Sequence, residues 1–334
     1  MAVPNSSFAN SLINLTLRNT RKVLADNFTS HSVVLDSIKK AGGYETKSGG
    51  YEIQEPLRYG GNTTIKSYSG YEPFDLAPQE GITSATYSWK QIGGSVSISG
   101  IEAFKNSGKE QLLSLLTAKM DQLQDSFYEE VDDQLVADGT GNGGKDIGGL
   151  DLLVEEGGAS STVGGIDSST YSWWANQSTD FAATYTTNSF GATDTGQSDT
   201  NGINAFRSML YDCTRKKERP NLILTTADIR AEFEAVTETH YRTQSLDAAE
   251  MGFDDSVKFS GIPVIWDANV RAGTAWWLNT KFLRFIVGKG HEFKMSGFEA
   301  PIDQDAKVAK IHLYCALTTN RRSAQGVIYN CGVA

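Results

Sequence analysis

The sequence predicts an α+β fold, and three observations predict it. Around residues 51–59, Tyr51, Ile53, Leu57 and Tyr59 alternate with Glu52, Gln54, Pro56 and Arg58, the period of a strand. Further on, Leu112, Leu116, Met120, Leu123, Phe127, Val131 and Leu135 recur every three or four positions, the period of one helix face. Near the end, in VAKIHLYCAL, Ile311, Leu313, Cys315 and Leu317 share one face while Lys310, His312 and Tyr314 share the other. Strand-rich and helix-rich runs therefore occupy separate stretches of the chain.

Taken in order, residues 1–43 read as an arm. Leu12, Leu15, Leu24, Val34, Leu35 and Ile38 fall at roughly helical spacing, and Arg18, Arg21, Lys22, Lys39 and Lys40 outnumber Asp26 and Asp36. The arm is basic in a chain that carries 40 acidic against 30 basic side chains, net −10. It reads either as a solvated helix face or as an arm lying on acidic surface of a neighbouring subunit. Residues 44–81 read as a long polar hairpin: a strand through Arg58, a turn at Gly60-Gly61-Asn62 and a return strand from Thr63 to Tyr71. With hardly a continuous apolar face, this ribbon is expected to pack outside its own core. An isolated two-stranded ribbon is marginal in water.

A strand is expected over Tyr87–Ile101, with Val96 and Ile98 alternating with serines. The long helix spans about 108–138, with Ser107 as N-cap, Glu110 completing a capping box and Gly139 as the C′ glycine. Residues 157–201 are rich in Ser, Thr, Gly and Ala, but Trp173-Trp174 argue that part of this stretch is packed. A helix over 204–217, a short buried strand NLILTT and a second helix from Thr225-Thr226-Ala227-Asp228 form a mixed α/β segment. Strands follow at 261–267, 275–279, 282–287 and 326–329.

Composition excludes several classes. The acidic balance argues against a general nucleic-acid binder and suits a protein kept soluble at high concentration. The amino end has no apolar signal region and no run approaches a membrane span. Three widely spaced cysteines, Cys213, Cys315 and Cys331, imply neither a disulfide framework nor a zinc site. GTGNGGKD, residues 139–146, has the spacing of a phosphate-binding loop, but Asp146 stands where Ser or Thr would reach magnesium and a helix precedes the loop. His31, His240, His291 and His312 lack neighbours at ligand spacing, and no nucleophile, base and orienter assemble. No enzymatic activity, cofactor or metal is expected.

Three phrases carry a resemblance: ISGIEAFKNSGKEQLLSLL at 98–116, VADGTGNGGKDIGGLDLLV at 136–154 and VGGIDSSTYSWWAN at 163–176. With the order arm, hairpin, strands, long helix, glycine loop, α/β segment and closing strands, the chain resembles the tailed-bacteriophage major capsid proteins of the Hong Kong 97-type fold over nearly its whole length. The resemblance implies an arm at 1–43, an extended loop (E-loop) at 44–81, a peripheral domain at 82–144 holding the spine helix, an axial domain at 145–269 and a return to the peripheral domain over 270–334.

It also implies a structural role: hexamers and pentamers closing into an icosahedral shell around double-stranded DNA, in a virion made in the bacterial cytoplasm. The partners it implies are other copies, a separate scaffolding protein (no scaffolding segment precedes the arm), a portal protein, a decoration protein and packaged DNA held without sequence-specific contacts. No membrane is involved. Lys47 and Lys66 lie where some relatives cross-link, but no partner asparagine and catalytic glutamate can be assigned, so no cross-link is expected. The expected interface comprises Arg18, Arg21 and Lys22 of the arm, Tyr51, Ile53, Leu57, Arg58, Lys66 and Tyr68 of the hairpin, and Asp121, Asp125, Glu129 and Glu130 of the helix. The rival reading is a β-rich tail, fibre or surface-binding module. Gly, Ser, Thr and Trp content suits it; the long amphipathic helix and basic arm do not.

Overall fold

The computed structural model describes residues 32–105, 109–159, 161–241, 257–297, 299–300 and 305–332. The expected arm residues Arg18, Arg21 and Lys22 and the cap Ser107 lie outside the described residues. In chain order the strands are β1 (Tyr44–Lys47), β2 (Ile53–Arg58), β3 (Ile82–Tyr87), β4 (Lys90–Ser99), β5 (Thr162–Val163), β6 (Ile166–Asp167), β7 (Gln177–Asp180) and β8 (Leu222–Thr225). They continue with β9 (Lys258–Phe259), β10 (Ile262–Trp266), β11 (Ala275–Leu278), β12 (Leu283–Gly288), β13 (Lys294–Met295), β14 (Ala306–Thr319) and β15 (Gly326–Tyr329).

A five-stranded sheet is built on β14. One edge of β14 takes β4 in an antiparallel ladder from Ala306↔Ser99 to Cys315↔Lys90. The other edge takes β12 and β13, and β1 adds in parallel to β12. The alternation read from the sequence holds: Ile311, Leu313, Cys315 and Leu317 are buried, whereas Lys310 is exposed and His312 and Tyr314 are half-buried. Against this sheet packs the long helix, Lys109–Val136, burying Met120, Phe127, Val131 and Leu135. Phe127 and Tyr128 meet Phe293 edge-on.

A six-stranded sheet, order β7-β15-β11-β8-β10-β9, forms the second layer. Period two splits its residues between two cores. Leu222, Leu224, Trp276, Leu278 and Val327 join Phe285, Val287, Ile311 and Leu313 of the first sheet in one cluster. Ile223, Val264, Ala275, Trp277 and Ile328 face the helices Asn201–Cys213 and Ala227–Tyr241 through Phe206, Met209 and Phe233. The Trp276-Trp277 pair thus sends one indole into each core, and a tandem aromatic is what a doubly buried strand can use.

Two expected boundaries fall inside these layers. The helix Val33–Lys40, capped by the Ser32 hydroxyl accepting from Leu35 N at 3.4 Å, buries Val34, Leu35 and Ile38 in the main cluster. This end of the expected arm belongs to the subunit body. Likewise β11 and β15, placed with the peripheral return at 270–334, lie in the second sheet, β11 laddered with β8 and β15 with β11 and β7. The chain crosses between layers more often than a linear division allows, because β14 runs directly into β15.

A buried ion pair joins the layers. Arg322 is 0% exposed. Its Nε donates to Leu153 O at 2.8 Å, and one terminal nitrogen donates to Glu155 Oε1 at 3.2 Å and Asn176 Oδ1 at 3.0 Å. Burial affects the partners oppositely. Enclosure pushes the guanidinium below its ordinary value against the pull of Glu155. Desolvation would raise the Glu155 carboxyl, but hydrogen bonds from Ser161 and the charge of Arg322 outweigh it and hold it below its ordinary value. Removing one member strands the other charge. Arg322→Ala is expected to lower unfolding free energy by about 3–5 kcal/mol in denaturant titration. A loss below about 1 kcal/mol, the range of exposed pairs, would show that the pair is not a buried tie.

Candidate assembly interface

The hairpin is real but built differently from the sequence expectation. β2 pairs antiparallel with β3, in register from Ile53↔Tyr87 to Arg58↔Ile82. The return strand is therefore ITSATY at 82–87, not Thr63–Tyr71. The latter stretch contains Gly70 at φ +51 and is followed by Pro73 and Pro78, which lack the N–H a ladder needs. Gly60-Gly61-Asn62 is not the turn. The ladder ends where Gly60 lies opposite Gly81, so closely that a Cβ on Gly60 would come 3.2 Å from the Gly81 Cα.

The inner face of β2 belongs to its own subunit, which corrects the placement of Ile53 and Leu57 on a neighbour. Ile53 packs with Ile286 and Ala316, and Leu57 with Ala85 and Trp174. Between them Glu55 is also buried, held by Lys47 at 3.4 Å and Arg284 at 3.3 Å. The inward face thus reads apolar, acidic, apolar. The carboxylate disguises it as polar in sequence, because its two cations come from β1 and β12. Further ties fix the base of the ribbon. Tyr87 donates to Thr319 O at 2.8 Å, Trp89 Nε1 to Gly50 O at 3.0 Å, and Thr86 N to Gly164 O at 2.9 Å. Enclosure raises the Tyr87 hydroxyl well above its ordinary value, partly offset by the Thr319 bond.

The excursion between the two strands is different. Every residue from Lys66 to Glu80 is exposed. Local bonds shape it: Thr64 N to Asn62 Oδ1 at 2.8 Å, Thr63 Oγ1 to Gln79 Oε1 at 2.8 Å and Ala77 N to Asp75 Oδ1 at 3.0 Å. Tyr68 meets Phe74 edge-on at 4.8 Å. Yet Ile65, Tyr71 and Leu76 stand almost fully exposed, Leu76 at 90%. Of the expected interface residues, Lys66 and Tyr68 lie on this excursion, Arg58 at its root and Tyr51 at the start of the ribbon, all exposed.

Asp121, Asp125, Glu129 and Glu130 are exposed along the long helix. Among the described residues no ion pair joins them to Arg58 or Lys66, and the last turn has no basic residue. Asp133 adds a further carboxylate in that last turn, where the helix dipole is already negative. Burial, then Glu130, Glu129 and Asp267, push the Asp133 carboxyl above its ordinary value. Burial, then Asp125, push the Tyr128 hydroxyl up to about 12. Cationic groups laid on this face would relieve the crowding.

The sequence reading passed over two clusters. Arg215-Lys216-Lys217 form an exposed turn, visible in sequence as a basic run in an acidic chain. His291 and His312, isolated in sequence, meet at 3.4 Å between Nδ1 and Nε2, with Tyr314 stacked on His291 at 4.4 Å. Burial, then His291 and Lys294, lower the His312 value. Among the described residues no group of three side chains could hold a metal ion. The 139–146 loop follows a helix and is closed by Ile147 N donating to Gln134 Oε1 at 3.2 Å. Among the described residues no helix is long and apolar enough to cross a membrane.

No family model matches the chain, and no curated protein is similar to it. Its fold is shared with solved structures. One is a chain of the cyanophage A-1(L) capsid asymmetric unit, with TM-score 0.60 and 16% identity, covering 88% of this chain and 92% of that one. Another is a chain of the capsid of an empty GTA particle, with TM-score 0.54 and 8% identity over 87% and 95%. A third belongs to Mycobacterium phage Adephagia, with TM-score 0.51 and 10% identity over 88% and 89%. The α+β architecture is thus a phage-capsid fold, as the Hong Kong 97-type resemblance implied.

The ribbon and its excursion make separable contributions to folding. Leu57→Ala is expected to cost about 2–5 kcal/mol. Replacing 61–80 with a short Gly-Ser turn is expected to leave stability unchanged or slightly raised, since each doubling of loop length costs only about 0.6 kcal/mol. Chemical denaturation of both variants checks this. A large loss on excision would place the excursion in the subunit's own core.

Proposed function

We propose that the chain is the major capsid protein of a tailed bacteriophage. Copies assemble into hexamers and pentamers that close into an icosahedral shell around double-stranded DNA. The observation that carries this reading is a capsid fold over nearly the whole chain, bearing an ordered excursion that its own subunit leaves uncovered. Covering Ile65, Tyr71 and Leu76 on a neighbour would contribute about 1.5–3 kcal/mol per side chain. An interface of ordinary size, about 1,200–2,000 Å², accommodates such a contact.

Electrostatics supports the same reading. A net charge of −10 keeps the chain from adhering to the genome it encloses, so DNA is a neighbour by proximity and not a sequence-specific ligand. The crowded carboxylates of the long helix are suited to cations from another copy, with Arg18, Arg21 and Lys22 of the arm and Arg58 and Lys66 of the ribbon as the groups of matching sign. Tyr51 and Tyr68 are the exposed aromatics of the same ribbon. A separate scaffolding protein would guide closure, with portal and decoration proteins as further partners. The role is structural and not catalytic, and the protein's place is the virion, after synthesis in the host cytoplasm. A tail or fibre module is less suited, since the capsid fold spans the long helix and both sheets.

Light scattering and electron microscopy of the purified chain, across salt and protein concentration and with the scaffolding protein present, test the proposal. Capsomers or closed shells are expected. A strictly monomeric chain, or fibrous trimers, under all these conditions would refute it.

A further inference from the structure

A basic groove of about 1420 Å³ opens beside the root of the ribbon. Its basic side chains come from three distant parts of the chain: Arg58 at the end of β2, the turn Arg215-Lys216-Lys217 after the helix Asn201–Cys213, and Arg321 beyond β14. Trp173 lines the groove and stacks on Tyr59 at 5.0 Å, giving it an aromatic floor. Its one carboxylate, Glu218, is engaged by Lys281 at 2.5 Å. Arg58, Arg215, Lys216 and Lys217 form no ion pair among the described residues, and Arg321 lies 5.3 Å over the Phe282 ring without an acidic partner. The turn is held by reciprocal bonds between Arg215 and Glu218, at 2.8 and 3.0 Å, with Lys216 at φ +59, where glycine is more at ease. Like charges are therefore gathered on a fixed frame without a paired carboxylate among the described residues.

The chain also carries the complementary surface. The excursion holds Glu72, Asp75 and Glu80 against the single base Lys66, interleaved with the uncovered Tyr71, Phe74 and Leu76. Only its root, Tyr59 to Gly61, lines the groove of its own subunit: Tyr71 is fully exposed and neither it nor the acids line the cavity. Acid and base lie at different places on one subunit, so their union joins unlike surfaces of two copies. Such a head-to-tail contact closes a ring when its rotation allows.

We infer that the excursion of one copy, through Glu72 and Asp75, docks in the basic groove of the next copy against Arg215, Lys216, Lys217 and Arg58, with its aromatic side chains meeting the Tyr59–Trp173 stack. This rests on the shell reading and names the contact between copies. It also differs from the pairing of Arg58 and Lys66 with the long helix, since here the excursion acts as the acidic partner. Steering between charged surfaces speeds correct encounter and weakens with salt.

Charge exchange in the full-length chain tests it. R215E/K216E/K217E alone and E72K/D75K alone are each expected to lose capsomers and shells, with unchanged far-ultraviolet circular dichroism and thermal unfolding. The two sets combined are expected to restore assembly. A second measurement uses D75C/K216C, which should give disulfide-linked oligomers of the assembled chain on oxidation; Cys213, Cys315 and Cys331 are all buried and contribute little background. Reversals that assemble like the parent chain would overturn the inference while leaving the shell reading intact. So would groove reversal that abolishes assembly without rescue by E72K/D75K, together with no cross-linked oligomers. A groove reversal that assembles normally but loses binding to a short DNA duplex would overturn it in favour of a phosphate-binding groove. If the parent chain forms no shells in the same preparations, the shell reading falls, and the inference with it.

Discussion

The ten-pair antiparallel ladder between β4 and β14 is the contact on which the rest of the geometry depends. β14 is long enough to carry β4 along one edge and both β12 and β13 along the other. From its end the chain passes through the Arg322 turn straight into β15 of the six-stranded sheet. In the other direction, β4 follows β3 after only Ser88 and Trp89, so the ladder also aims the ribbon. One strand therefore sets the position of both sheets and of the element that leaves them. The long helix lies across β4, and its buried stripe is what closes the first sheet.

Charges are used inside this frame where three segments must be tied at one point. Glu55 is closed by Lys47 and Arg284, binding β2 to β1 and β12. Arg322 is closed by Glu155 and Asn176, binding the turn after β14 to the segment after the long helix. Each pair loses hydration and regains it as directed bonds, so each favours one arrangement over near alternatives more than it adds net stability. The outer surface follows a different logic. Acidic side chains collect along the long helix, basic ones around the groove, and the exposed apolar group Ile65, Tyr68, Tyr71, Phe74 and Leu76 on the excursion. A subunit with its signs separated in this way has complementary faces to offer to copies of itself.

The parts of the fold that were legible in the sequence are those whose burial follows a clean period. The stripe from Met120 to Leu135 and the alternation from Ile311 to Leu317 each face one environment along their length, and both were read correctly. β8 and β11 were also visible, as short apolar runs buried on both faces. The ribbon was legible as a hairpin but not in its details. A buried Glu55 hid the inward face of β2. The return strand begins only at Ile82, after an excursion whose turns are made by Asn62 and Asp75 side chains, so pairing across that distance has no local signal. The membership of β11 and β15 in the second sheet was illegible for the same reason, since a ladder partner 50 residues away leaves no period behind. In the candidate interface, the exposure of Tyr51, Arg58, Lys66 and Tyr68 and of the helix carboxylates was foreseen. The groove was not, because Arg58, Lys216 and Arg321 meet only when three loops are folded together.

The central claim is that the ribbon's base belongs to its own subunit and its excursion to a neighbour. Hydrogen–deuterium exchange on dissociated subunits and on assembled particles tests this most directly. Amides of 61–80 are predicted to exchange freely in the subunit and to gain protection in the particle, while those of β2, β3, β8 and β14 are protected in both. Unchanged exchange at 61–80 on assembly, or exchange in β2 and β3 as fast as in the excursion before assembly, would contradict the account.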